Sequence, residues 1–202
     1  CTQLVTIAYP PCGFEDGTMF TVTDADGNVY NTVRIGCDCW MAENLASTTY
    51  SDTTCGLSNS PIAVSLAYYA ALYPDTVANV NTYGRLYSWY SAVGLPEGST
   101  GNPCLNSDNH ITGACPAGWY LPSDEDYLNL YSYGMANLMS PSGWLYSNGT
   151  NGTGFTALPG GYYNAAAGEF YNLIGNGYFW SSQETTIMEA LNCEMTYSCP
   201  DA

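Results

Sequence analysis

The residues best placed to do chemistry are the acids of "DADGN". Asp24, Asp26 and Asn28 alternate, with Gly27 just before the last of them. Oxygen donors at every second position followed by a glycine are how a helical calcium loop begins. Such a loop ends on a bidentate acid at its twelfth position. Counted from Asp24 that position is Ile35, and the nearest acid is Asp38. The helical calcium loop is therefore excluded. A looser oxygen site of Asp24, Asp26 and Asn28 is the metal reading that remains, against a plain turn between two strands.

Other chemistry is scarce. The one histidine, His110, sits in the loop-like run "NSDNHITGA", where it reads as an exposed loop residue. Any Ser–His–Asp or Cys–His relay would have to use it, and no nucleophile-elbow motif is present. Eighteen acids face two arginines, Arg34 and Arg85, with no lysine. A Schiff base, a lysine–asparagine staple and a phosphate-loop lysine are all impossible. The net charge of -16 repels phosphate backbones and anionic membranes, so nucleic-acid binding is excluded. Among so many carboxylates no pair stands out as a glycosidase dyad. The expectation is a protein that is not an enzyme and uses no cofactor.

Nine cysteines are spread along the chain. The one close pair, Cys37 and Cys39, is too tight for a usual zinc knuckle. Scattered cysteines in a lysine-free chain rich in Tyr, Asn, Gly and Thr read as disulfides in an oxidising compartment. Each bridge is typically worth about 2–4 kcal/mol. The candidates are Cys12, Cys37, Cys39, Cys55, Cys104, Cys115, Cys193 and Cys199. Cys115 is expected to bond a cysteine of the last ten residues. Cys1 is then the odd one, a candidate for lipidation or for a bond between subunits, or else paired with a neighbour. The most apolar run, "IAVSLAYYAALY" between Pro61 and Pro74, is too short to span a bilayer.

Two further readings concern the surface. "NGTNGTG" holds acceptor sequons at Asn148 and Asn151. "DTT" and "DTV" mark Thr53 and Thr76 as O-glycosylation candidates. Only 10% of the residues are charged, so Tyr, Ser, Thr, Asn and Gly must cover much of the surface. Nineteen tyrosines and five tryptophans are too many for one core. Tyr162, Tyr163 and Asn164 are the candidate ligand-binding residues, with packing under long loops as the alternative.

The elements that position these residues are short. "LVTIAY" places Val5, Ile7 and Tyr9 on one side of an extended segment that Pro10, Pro11 and Gly13 break off. "MFTVT" and "VYNTVRIG" flank Asp26-Gly27-Asn28 as a hairpin. "YGRLYSWYSAVG" sets Leu86, Trp89, Tyr90 and Val93 at helical spacing, with Gly94 to end the helix. "LPSDEDYLNLYSYG" predicts a second helix. Ser123 is its N-cap, Ser123 and Asp126 form a capping box, and Asp124, Glu125 and Asp126 lie at the positive end of the dipole. Tyr127, Leu130 and Tyr131 form its inner face, and Gly134 its end. The remainder reads as loops and short strands, with apolar islands at Phe155, Leu158 and Phe179-Trp180. Two helices among many short strands predict an α+β fold. Residues 1–20 form an N-terminal extension carrying a strand that could be exchanged, and residues 21–202 form one domain.

The order of five blocks then carries a resemblance. "DADGNVYNTVRIGCDCWMAENL", "YGRLYSWYSAV", "CPAGWYLPSDEDYLNL", "GFTALPGGYYN" and "GYFWSSQET" follow one another from about Thr21 to Ala190. Together they resemble the Fibrobacter succinogenes major paralogous domain, found in secreted and surface proteins of Fibrobacter and Bacteroidetes. That family is similar to the formylglycine-generating-enzyme branch of the C-type-lectin-like folds. The resemblance implies two helices flanking a short twisted antiparallel sheet, long loops on one side, and a buried tryptophan with a chain reversal at "WMAENL". It supplies no catalytic residues. The copper-dependent oxidation of the distant enzyme relatives would need two free thiols. Family members usually continue to a final strand with an arginine and a cysteine. A chain stopping at "ALNCEMTYSCPDA" is expected to lack that strand or to hold a very short one.

These readings converge on an extracellular or cell-surface structural protein. The expected role is a self-assembling subunit of a bacterial filament or pilus-like fibre, a homopolymer joined through the N-terminal strand. The alternative is a monomeric adhesin or carbohydrate-binding module recognising surface glycans.

Overall fold

The computed structural model describes residues 7–8, 15–51, 56–57, 60–62, 76–99, 101–103, 105–145, 149–186 and 189–196. The expected hairpin is present. Strands β2 (Met19–Thr23) and β3 (Val29–Ile35) pair antiparallel, from Thr23 opposite Val29 to Met19 opposite Val33. The turn between them closes with Asp24 N–H donating to Asn28 O at 3.0 Å, and Gly27 takes φ 85°, which a side chain would resist. A second turn leads into β4 (Asp38–Met41), paired back along β3. Strand β1 (Ile7–Ala8) lies against the outer side of β4, with Ile7 opposite Trp40 and Ala8 opposite Cys39. The sheet order is β1-β4-β3-β2. The N-terminal strand thus pairs inside its own chain.

β4 feeds the core. Trp40, Met41 and Leu45 of "WMAENL" are essentially sealed from solvent, as the resemblance implies. Trp40 meets Phe155 edge-on at 5.6 Å and Tyr127 at 5.7 Å, and Phe155 meets Phe179 at 6.4 Å. Those four rings come from β4, the 149–161 loop, a helix and β7, so one aromatic cluster ties distant stretches together. After the reversal, Glu43 accepts from Asn31 Nδ2 at 2.7 Å and holds the chain against β3.

Four helices stand among the described residues, where two were expected. Helix α1 (Thr76–Tyr83) was not foreseen. Its Val77 is exposed and its Asn and Thr are weak helix formers, so no apolar stripe marks it. Helix α2 (Trp89–Val93) is shorter than "YGRLYSWYSAVG". Ser88 caps it by accepting from Ser91 N–H, and Gly94 ends it at φ 78°. Leu86 is buried ahead of the helix, beside Tyr163. Helix α3 (Asp124–Tyr131) has the full capping box. Asp126 N–H donates to Ser123 Oγ at 3.2 Å and Ser123 N–H to Asp126 Oδ2 at 2.7 Å. It buries Tyr127 and Leu130 but ends at Tyr131. Gly134 instead precedes a short helix, α4 (Met135–Leu138).

The carboxyl-terminal part forms two hairpins. β5 (Tyr162–Asn164) pairs with β6 (Glu169–Tyr171), and β7 (Asn176–Thr186) with β8 (Glu189–Thr196). "ALNCEMT" belongs to an eight-residue strand paired along β7, because Cys193 and Met195 alternate inward and bury against the core. Mixed helices with three small antiparallel sheets among the described residues make the fold α+β.

Candidate functional site

The acids of the opening hairpin are turned to the fold. Asp24 is buried. Its Oδ1 accepts from Asp26 N–H and Asn28 N–H, both at 2.9 Å. Its Oδ2 accepts from Asn28 Nδ2 at 2.9 Å and from Tyr30 Oη at 2.6 Å. Asp26 Oδ2 accepts from Thr48 N–H at 2.6 Å and Thr48 Oγ1 at 2.7 Å. Burial pushes the Asp26 carboxyl up, but hydrogen bonds from Thr49 and Thr48 and the charge of Arg85 outweigh it, leaving its pKa below the ordinary value. Carboxylate lone pairs that could have met a cation are occupied by N–H and O–H donors. Among the described residues no three His, Cys, Asp or Glu side chains gather as metal ligands. Asp24, Asp26 and Asn28 form a turn lock.

A groove of about 550 Å³ lies at the start of α3, lined by Asp38, His110, Tyr120, Ser123, Asp126 and others. His110 is no exposed loop residue. Its ring is half-buried and stacks on Tyr120 at 4.0 Å and 19°. An Asx turn holds it there, as Asn106 Oδ1 accepts from His110 N–H at 3.0 Å. A serine, a histidine and an aspartate thus share one groove, but not as a relay. Ser123 Oγ donates to Asp126 Oδ2 at 2.7 Å, inside the capping box. Burial, then the charge of Asp126, raise the Asp38 pKa, while Arg34 opposes them.

The three candidate ligand-binding residues separate. Strand alternation turns Tyr163 inward against Leu86 and Phe170, while Tyr162 stays half-buried on the other face. Asn164 Oδ1 accepts from Ala166 N–H at 3.0 Å and Ala167 N–H at 3.1 Å, closing the β5–β6 turn. Tyr162 instead joins Tyr171 and Tyr178 on one surface. Sequence reasoning missed that grouping because it needs the β5–β6 hairpin set beside a strand of another sheet.

No disulfide joins Cys37, Cys39 or Cys193 in this structure, against expectation. Cys37 is exposed in the turn before β4, while Cys39 points inward beneath the sheet. Cys193 Sγ lies against Tyr131 Oη, and burial pushes its thiol up to about 12. Cys115 is buried nearby, and both sulfurs act on the buried Tyr127 phenol. The expected bond from Cys115 to the C-terminal stretch is not made at Cys193, whose sulfur is directed onto Tyr131. Cys1, Cys12, Cys55, Cys104 and Cys199 lie outside the described residues, as do Thr53 and Asn148. Thr76 opens α1, and its side chain is outside the described set. Asn151 has its amide folded into a turn. Nδ2 donates to Thr156 Oγ1 at 2.9 Å, and Oδ1 accepts from Thr156 N–H at 2.8 Å.

The last feature is the edge of β4, which a strand of two residues fills. The opposite edge, β2, exposes Met19 and Phe20. No described helix is long and apolar enough to cross a membrane. No curated protein and no solved structure matches the chain. The ordered blocks that carried the resemblance do find their family: residues 33–198 match the model of the Fibrobacter succinogenes major domain, and the chain belongs to that family.

Proposed function

We propose that the chain is a secreted, surface-associated structural module that assembles head to tail into a filament by passing β1 to the next subunit. In this reading it runs no reaction. One observation carries it: the outer edge of β4 is filled by Ile7–Ala8, while β2, the next strand in the chain, sits at the opposite edge. Three strand spacings, roughly 14 Å, separate those edges. Residues 9–18 alone join them, and they include Pro10 and Pro11, residue types that favour an extended chain. The ladder on β4 is the same whether Ile7–Ala8 comes from its own chain or from a neighbour, so exchange costs few contacts. We read the fold as C-type-lectin-like, with the edge strand as the assembly device. The exposed β2 edge with Met19 and Phe20 offers a second surface for a neighbour.

The test is electron microscopy of the intact chain beside one lacking residues 1–11. The intact chain should form filaments and the shortened one should not. Excess peptide spanning residues 2–10 should cap growth. Filaments that form equally well without the segment would rule out strand passing. An intact chain that stays monomeric at high concentration would favour the adhesin reading.

A further inference from the structure

The carboxyl-terminal hairpins gather three tyrosines from three strands. Tyr162 stacks on Tyr171 at 5.5 Å and 24°, and Tyr178 meets Tyr162 edge-on at 5.1 Å and 76°. All three are half-buried, so each ring is packed on one side and open to solvent on another. Tyr171 meets no second ring among the described residues, which leaves its outer face uncovered by aromatic packing. Its hydroxyl donates to Glu169 Oε2 at 2.8 Å, which fixes the direction of the ring. Tyr178 Oη accepts from Asn172 Nδ2 at 2.8 Å and Asn176 Nδ2 at 3.0 Å, and Asn176 Nδ2 also donates to Glu194 Oε1 at 2.6 Å.

The backbone beside the rings is strained. Asn172 and Ile174 both sit at φ 60°. A β-branched residue rarely adopts that conformation, and such strain persists only where surrounding structure enforces it. Here Leu145 N–H donates to Ile174 O at 2.6 Å and Ile174 N–H to Pro159 O at 2.9 Å. The enforced turn places the exposed Asn172 between Tyr171 and Tyr178. Its Oδ1 and the second oxygen of Glu169 accept no hydrogen bond within the described residues.

We propose that this surface binds a neutral sugar chain. The open face of Tyr171 takes the C–H face of a pyranose ring, and Asn172 Oδ1 and Glu169 accept from its hydroxyls. Glu169, Glu194 and a net charge of -16 repel anionic polysaccharides, so the ligand is an uncharged glycan. The site does not depend on assembly through β1, which pairs in a different sheet.

The test uses the intact chain in affinity electrophoresis through gels holding glucan, xylan or mannan, and through gels holding polygalacturonate or chondroitin sulfate. A neutral polymer should retard it and the anionic ones should not. Tyr171→Ala should weaken retention about tenfold. Tyr171→Phe, which keeps the ring, should stay close to the parent. Tyr133→Ala, at an exposed tyrosine elsewhere, should change nothing, and unfolding midpoints would confirm that each variant is folded. No retention by any neutral polymer, equal retention by anionic ones, or a folded Tyr171→Ala that binds like the parent would each overturn the proposal.

Discussion

Two ends of the molecule handle polar groups in opposite ways. At the β2–β3 turn four donors, the Tyr30 hydroxyl among them, converge on one buried carboxylate. At the β5–β6–β7 end the tyrosines lie at the surface, and acceptors of Asn172 and Glu169 remain open among the described residues. The first end uses its chemistry to fold, and the second is where we propose a partner binds. Alternating acids at one end suggested a metal site, whereas at the other end the sequence singled out Tyr162 but not its neighbours Tyr171 and Tyr178. Residue types and spacing show which groups a segment carries. Whether those groups are already satisfied depends on what the fold brings to them.

The largest effect should come from breaking the closed end. Asp24→Ala leaves the Tyr30 hydroxyl and two turn N–H groups without their acceptor. The expected loss is about 3 kcal/mol, or roughly 6–12 °C in Tm for a domain of this size. Calcium should leave the parent midpoint unchanged, because the carboxylate is occupied. A calcium-dependent midpoint in thermal unfolding would restore the metal reading and undo the contrast.

Breaking the open end should be smaller and local. Gly161 has φ 64°, and a Cβ there would sit 2.3 Å from Tyr171 O and 2.8 Å from Leu173 N. Gly161→Ala must push the β6 end away from β5, at roughly 1–3 kcal/mol. Hydrogen exchange should quicken at β5 and β6 and stay unchanged at β2 and β3. Uniform quickening would mean that the two ends form one cooperative unit and the comparison fails.

Local rules made part of this legible. The hairpin, the capping box of α3 and the Gly94 stop each rest on residues within a few positions of one another, and each is present. The buried Trp40 followed from the family resemblance. Helix α1 escaped because it carries no apolar stripe, and none of its residues of described exposure is buried. His110 was misplaced because its partner, Tyr120, stacks on it across a turn, and no periodicity records that contact. The tyrosine surface needs the β5–β6 hairpin laid beside β7, which is a property of the folded chain.

The smallest effect separates satisfied from unsatisfied acids by pH. Asp26 has a lowered pKa in the fold, so its contribution to stability is present above the unfolded value and is lost as pH falls through the folded one. Asp38 is raised by burial and by Asp126, so its charged form opposes folding once pH rises through that raised value. Asp26→Asn should therefore lower the urea midpoint near pH 7, and Asp38→Asn should raise it. Near pH 3, below the ordinary range of about 3.9 for an aspartate, both differences should shrink toward zero. Asp26 is exposed and Asp38 half-buried, so solvent screening keeps both shifts small. Opposite signs at neutral pH are the decisive feature. Two acids at similar positions beside β-turns would then differ because Thr48 and Thr49 supply donors to one, while Asp126 brings a like charge to the other.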